Sequence, residues 1–376
     1  MSKLSPLLVF GTRPEAIKMA PVVQECLARK DQISPVVCLT GQHREMLDQV
    51  TDYFGIRADV DLELMSPNQS LSELTARCLT GLDGVVKGRQ PDCVVAQGDT
   101  TTVMCAAIVA FYWKLPFVHV EAGLRTHDLW SPWPEEFNRR VASLVTSLSC
   151  APTERAAANL IQEGVAPHTV HVTGNTVIDA LLQTVERERN NSATWQEKYA
   201  FLGDRRMILI TGHRRENFGR GFRELCQALT ELAHNYADVE FLYPVHLNPN
   251  VRKPVFDMLD NSENIHLVEP APYPEFVWLM DRSTIILSDS GGVQEEAPSL
   301  RKPVLVTRDT TERPEAVDAG AVELVGTDLA RIVERISTLL DVRSEYERFQ
   351  IDQNPYGDGH AAKRIVDLML QQNWNS

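Results

Sequence analysis

Short apolar runs recur along this chain, and each breaks off into a polar or glycine-containing loop from which a helical stretch starts. Residues 7–10 run into Gly11-Thr12-Arg13-Pro14-Glu15, where Pro14 and Glu15 suit the first turn of a helix reaching to about Arg29. Residues 36–40 lead to a helix starting at Gln42, Cys93–Gln97 to Gly98-Asp99-Thr100-Thr101-Thr102, and Phe117–Val120 to Glu121-Ala122-Gly123. After the turn-rich Asn190-Asn191-Ser192 the pattern resumes at 207–211, 239–243, Ile265–Val268, 284–287 and 303–306. Apolar strands that alternate with helices predict parallel sheets covered on both faces. The chain is therefore expected to be α/β, with two Rossmann-like, doubly wound domains facing a cleft. The first spans 1–172 and the second 173–360. Asn354-Pro355-Tyr356-Gly357-Asp358-Gly359 lets the chain turn, so that a last helix, about 361–376, returns to the first domain.

With 376 residues, 43% of them hydrophobic, both domains can have sizeable cores. A net charge of −14 argues against nucleic acid or an anionic membrane as the main partner, so any anionic ligand needs positive charge gathered locally. The seven cysteines are odd in number, contain no CxxC and sit mostly in apolar runs, which fits buried thiols in the cytoplasm. The longest apolar run, 103–113, is too short to span a bilayer, and the first residues lack a signal-peptide pattern. No zinc-like spacing occurs, so no metal is expected. No GxGxxG follows the first strand, and neither GxxxxGK[ST] nor GxSxG occurs; no cofactor is expected.

Ligands of such sheets bind at the carboxyl ends of the strands. That rule puts Arg13, Asp99 and Glu121 on one rim, with Glu135 in the loop Ser131-Pro132-Trp133-Pro134-Glu135-Glu136. In the second half, the strand ending in Ser290-Gly291-Gly292 opens a helix whose free N–H groups suit a phosphate. Glu296 can accept two hydrogen bonds from a ribose diol, Arg313 adds positive charge, and His213 directly follows a strand. Each of these also has a purely structural reading. Asp99 can serve as a helix N-cap, Glu121 as an i,i+4 partner of Arg125, and Glu135 as a first-turn residue. His213 can be a plain loop residue, Arg13 and Lys18 can be solvated, and His119 reads as a hydrogen-bonded core residue.

The segments GTRPEAIKMAP, GQHREMLDQV, QGDTTT, HVEAGLRT, SPWPEE, TGNTVIDAL, TGHRRENFGRG, YPVHLNPNVR, DSGGVQEEAPSL and RDTTERPEA together resemble the bacterial non-hydrolysing UDP-N-acetylglucosamine 2-epimerases. The likeness runs from about Phe10 to Gly359. It implies a GT-B-like pair of Rossmann-type domains, a homodimer, and interconversion of UDP-GlcNAc and UDP-ManNAc for bacterial surface polysaccharide. It implies that Asp99, Glu121, Glu135 and His213 form the catalytic group, and that Arg13 and Lys18 face the ligand. Ser290, Gly291, Gly292, Glu296 and Arg313 would hold the diphosphate and ribose, with Phe276 beside the uracil. Ala271 stands where a relative's pattern has Gln. A second UDP-GlcNAc acting as activator would meet Gln42, Arg77, Arg214 and His246.

The C2 hydrogen of a hexosamine has no neighbouring carbonyl and is not acidic. The route compatible with this residue set is elimination of UDP to 2-acetamidoglucal followed by re-addition. It needs a stabilised leaving diphosphate and acid–base groups on both faces of C2. Rival readings are a hydrolysing epimerase, a GT-B glycosyltransferase using a UDP-sugar, and a non-catalytic UDP-sugar sensor. The sensor has no use for four titratable groups at strand ends.

Overall fold

The structure, a computed structural model, describes every residue except 1, 2, 42, 43, 67, 68, 215, 216, 260, 261, 373, 375 and 376, and except the side chains of 44–46. The chain divides into two compact units, Met1–Ala180 with Tyr356–Ser376, and Leu181–Pro355.

The first unit is laid down as β1 (Pro6–Phe10), α1 (Arg13–Ala28), β2 (Val36–Leu39), α2 (Arg44–Phe54), β3 (Val60–Asp61), α3 (Leu71–Arg89), β4 (Cys93–Gln97) and α4 (Thr101–Tyr112). There follow β5 (Phe117–Val120), α5 (Glu135–Val145), β6 (Thr146–Ala151), α6 (Glu154–Gln162), β7 (Val170–Val172) and α7 (Thr176–Asn190), the last of which runs across the boundary between the units. All seven strands are parallel, in the order β3-β2-β1-β4-β5-β6-β7. The order reverses direction between β1 and β4, whose partners include Leu7 with Val94 and Val9 with Ala96. Loops leaving these two strands diverge, and the crevice between them is where such sheets take ligands. The second strand to be buried on both sides, β4, is covered by α4, an almost wholly apolar helix.

The second unit repeats the plan with α8 (Ser192–Lys198), β8 (Arg206–Thr211), α9 (Arg220–Asn235), β9 (Val239–Pro244), α10 (Pro249–Leu259), β10 (Ile265–Val268) and α11 (Tyr273–Arg282). It continues with β11 (Ile285–Ser288), α12 (Gly291–Glu296), β12 (Val304–Val306), α13 (Pro314–Asp318), β13 (Val322–Leu324), α14 (Leu329–Asp341) and α15 (Arg343–Glu347). Its six-stranded parallel sheet runs β10-β9-β8-β11-β12-β13, so the reversal falls between β8 and β11. Its core is formed by residues such as Ile208, Ile210, Phe241 and Leu287 from the sheet against Phe222, Leu229 and Ile336 from α9 and α14.

The last helix, α16 (Ala361–Gln371), packs on α1 in the first unit. Its N-cap residue His360 makes no side-chain cap bond. The carboxylate of Asp179 does that work, accepting from Ala361 N at 3.2 Å and Ala362 N at 2.8 Å. Arg29 Nη1 adds an ion pair with Asp367 at 2.5 Å. All seven cysteines are free and buried, and burial pushes thiols such as Cys26 and Cys150 up to about 12. Among the described residues no helix is long and apolar enough to cross a membrane.

Candidate active site

In the first unit the loops at the switch point are tied together by their own side chains. Thr12 and Glu15 form a capping box at the start of α1, and Glu15 Oε2 accepts from Gly11 N at 3.0 Å and Thr12 N at 2.7 Å. Its other oxygen accepts from Thr100 Oγ1 at 2.5 Å, which links the β1 loop to the β4 loop. Burial raises the Glu15 carboxyl, and these donors only partly offset it. Gly98, at φ +86°, makes the turn out of β4. Its carbonyl accepts from His119 Nε2 at 2.7 Å. Burial lowers His119 to about 4, so the ring is neutral with the proton on the nitrogen that faces the carbonyl.

Asp99 follows Gly98. The N-cap of α4 is Thr100, not Asp99. Asp99 Oδ2 instead accepts from Arg139 Nε at 3.0 Å and Nη2 at 2.7 Å, and its backbone carbonyl accepts from Asn138 Nδ2 at 2.8 Å. Arg139 Nη1 also donates to Glu136 Oε2 at 3.1 Å. Glu136 is fully buried; burial alone would raise its carboxyl, but Thr126 N–H and Arg139 outweigh that and hold it below the usual range. Glu135, one residue earlier, opens α5 and is partly exposed.

Glu121, 6% exposed, directly follows β5 with φ +63°. A non-glycine residue there carries about 1–3 kcal/mol of strain, which persists only where its surroundings enforce it. Three donors do so: Lys18 Nζ at 2.5 Å, Asn175 Nδ2 at 2.9 Å and Gln97 Nε2. Three donors on one carboxylate fix its direction. The surface couple with Arg125 does not form, because Arg125 pairs with Glu163 at 2.8 Å. Arg13, the first residue of α1, stands exposed on the same rim.

In the second unit the loops after β8 and β11 are joined by Asp289. This buried carboxylate accepts from the backbone N–H groups of His213 and Arg214, both at 2.8 Å, and lies 3.2 Å from His213 Nδ1. His213 is thus not a plain loop residue; its ring also stacks on His246 with centroids 5.6 Å apart. Arg214 Nε is buried without a hydrogen-bond partner among the described residues. Ser290 is the N-cap of α12 and its side chain makes no cap bond. The Arg313 guanidinium packs over Gly291, whose missing Cβ would lie 3.6 Å from Arg313 Cζ. Glu295 Oε1 at 2.6 Å and Glu312 Oε2 at 3.2 Å orient it. Tyr273 OH donates to Glu296 Oε1 at 2.9 Å. Ala271 lies just before α11 and Phe276 in its first turns, both partly buried.

The structure therefore gathers Lys18, Asp99 and Glu121 with Arg13 at the strand ends of one unit, and His213, Ser290 to Gly292, Glu296 and Arg313 at those of the other. Of the four activator candidates, Gln42 lies outside the described residues. Arg77 bonds Ser66 Oγ at 2.6 Å and Gln69 in the first unit, whereas Arg214 and His246 flank His213 in the second. Sequence reasoning missed Gln97, Glu136, Arg139, Asn175, Tyr273, Asp289 and Glu295. Glu136 and Arg139 carried a signal, an i,i+3 acid–base pair beginning in a first helical turn, and Asp289 carried another, an acid closing an apolar strand.

Several known proteins are similar to this chain over nearly its whole length. A family model described as UDP-N-acetylglucosamine 2-epimerase matches residues 25–370. UDP-N-acetylglucosamine 2-epimerases of Neisseria meningitidis serogroup A and of Escherichia coli are each 52% identical. The first match covers 97% of this chain and 99% of that protein, the second 96% and 97%. The crystal structure of the Neisseria meningitidis enzyme bound to UDP-GlcNAc superposes with a TM-score of 0.91 at 51% identity, covering 98% of this chain and 100% of that one. The Methanocaldococcus jannaschii enzyme in complex with UDP-GlcNAc and UDP gives 0.81 at 32% identity, with 98% and 100% covered. A match that spans both sheets and the loops at both switch points makes this chain a member of the UDP-N-acetylglucosamine 2-epimerase family.

Proposed function

We propose that the protein interconverts UDP-N-acetylglucosamine and UDP-N-acetylmannosamine by elimination and re-addition of UDP. The C1–O bond to UDP breaks while a base removes the C2 proton, giving 2-acetamidoglucal and UDP. Protonation of C2 from the other face, with UDP returning to C1, completes the inversion. The observation that carries this reading is the Arg313 guanidinium packed over Gly291 at the opening of α12, a seat for a leaving diphosphate prepared before the ligand arrives. Ser290, Gly291 and Gly292 offer it backbone donors, Glu296 takes the ribose, and Phe276 and the Ala271 backbone border the uracil. Asp99, Glu121 and Glu135 supply the acid–base set with Lys18 and Arg13 beside them. His213, oriented by Asp289, stabilises charge at the diphosphate or sugar.

The partners follow from the same reading. A second UDP-GlcNAc serves as activator at Arg77, Arg214, His246 and Gln42. The enzyme works in the cytoplasm as a homodimer, for which exposed Phe111 and Tyr112 at the end of α4 and Leu144 near the end of the neighbouring α5 offer an apolar face. UDP-ManNAc so formed feeds surface polysaccharide. Incubation with UDP-GlcNAc in heavy water, read by NMR, tests the chemistry: deuterium is expected at C2 of the epimer. Product without deuterium rules out the elimination route, and free N-acetylmannosamine points to the hydrolysing reaction. Asp99→Asn is expected to keep UDP binding and lose most of the epimerisation; wild-type turnover in that variant removes Asp99 from the catalytic set.

A further inference from the structure

Glu296 closes α12, is only 6% exposed, and presents its two carboxylate oxygens to different surroundings. Oε1 accepts the phenolic proton of Tyr273, the first residue of α11, at 2.9 Å. Oε2 bends back along its own helix, so that a Cβ added to Gly292 would lie 3.6 Å from it. The two elements that carry the pair are fixed against each other, since α11 packs on the 3-10 turn Ala297–Leu300 that continues α12. The tyrosine therefore anchors a rotamer-rich acid through a contact between rigid elements, and the ordering cost is met on folding rather than on binding.

An anchored carboxylate beside an anion seat repels phosphate but matches a neutral vicinal diol, whose two hydroxyls are both donors. We propose that Tyr273 is a positioning residue that sets the sugar selectivity of the nucleotide site: by tethering Glu296 it makes the protein distinguish ribose from deoxyribose. This rests on the reading of the second unit as the UDP seat. The reasoning is one of unsatisfied acceptors. When a ligand lacks one hydroxyl, a carboxylate held in place is left desolvated and unpaired, and binding suffers. A carboxylate released from its tether can turn toward water and tolerates the loss.

The test compares binding of UDP and 2′-deoxy-UDP by calorimetry, together with KM and kcat for UDP-GlcNAc, in wild type, Tyr273→Phe and Glu296→Gln. The wild type is expected to prefer UDP by at least about 10-fold, the equivalent of one well-made hydrogen bond to a charged group. In Tyr273→Phe the preference is expected to shrink to within about 3-fold, through loss of UDP affinity rather than gain for the deoxy ligand, and the kinetic effect to fall on KM more than on kcat. Should Tyr273→Phe not fold, Glu296→Gln carries the same comparison. A variant that keeps the wild-type ratio, or one that loses kcat at constant KM, overturns the proposal. A wild type that binds both ligands equally also overturns it while leaving the nucleotide site standing. A wild type that binds no UDP overturns the nucleotide site and this proposal together.

Discussion

Arg139 donates to a single oxygen of Asp99 from two nitrogens, Nε at 3.0 Å and Nη2 at 2.7 Å, and the guanidinium itself is only 7% exposed. Fork-like pairing fixes direction as well as charge. It keeps the Asp99 carboxylate turned in one direction at the switch point. The third arm, Nη1, reaches buried Glu136, so the guanidinium cannot follow Asp99 if Asp99 moves.

Arg139→Lys keeps the charge and loses the fork. Turnover is expected to fall about 100-fold, the usual cost of misplacing a reacting group by an ångström, with UDP affinity changed by less than about 2-fold. Steady-state kinetics alongside UDP titration measure both. Unaltered turnover in the lysine variant would show that Asp99 needs no fork.

Asn175 reaches Glu121 from the loop after β7, donating Nδ2 to Oε1 at 2.9 Å. Asn175→Asp replaces that donor by a second carboxylate with almost no change of shape. Two buried like charges at that distance are expected to cost the first unit about 3 kcal/mol at neutral pH. The loss should diminish on acidification, because protonating either group restores a donor. Thermal unfolding of both proteins at pH 7 and pH 5 decides it: equal destabilisation at the two values contradicts a charge origin.

The apolar strands and the glycines that end them were readable because period and punctuation are local properties. Cys93–Gln97, Phe117–Val120 and Ile265–Val268 appear with the bounds the sequence predicts. The chain hid β3, which has two residues, β6, whose Thr146, Ser147 and Ser149 dilute the apolar signal, and β7 and β13, which have three each. The chemistry divides in the same way. Asp99, Glu121 and His213 stand at strand ends and could be read from their own neighbours. Their holders Arg139, Asn175 and Asp289 lie 40, 54 and 76 positions away, and only the folded sheet order brings them close. The i,i+4 rule offered Arg125 to Glu121, but the left-handed backbone of Glu121 turns the carboxylate inward and leaves Arg125 to Glu163.

Gly123, two residues past Glu121, has φ +92°, and a Cβ there would come within 2.2 Å of the Ala156 carbonyl oxygen. That contact is backbone on backbone, with no flexible side chain to yield, and Gly123 O is itself held by Asn159 Nδ2 at 2.9 Å. Gly123→Ala is therefore expected to destabilise by about 2 kcal/mol or more through strain and overlap together, and to disturb Glu121 along with it. A denaturation midpoint equal to wild type would contradict the close approach of the Gly123 loop to α6.

Asp289 gives a pH dependence whose sign can be worked out. Burial alone would raise its carboxyl, but the His213 side chain and the N–H groups of His213 and Arg214 overcome that and hold it below the ordinary aspartate value. A group whose folded pKa is depressed adds stability that is fully present above its unfolded pKa, about 3.9, and fades as pH falls through the lower folded value. The stability difference between wild type and Asp289→Asn should then be constant above about pH 5 and shrink as the solution is acidified below about pH 4. Because Asp289 also aims His213, the variant should lose turnover by about 10-fold or more even at neutral pH, where its folding deficit is steady. Denaturant titrations from pH 3 to 7, paired with kinetics at pH 7, separate the two effects. A stability gap that stays flat to pH 3 would mean that Asp289 holds these loops by shape alone and not by charge.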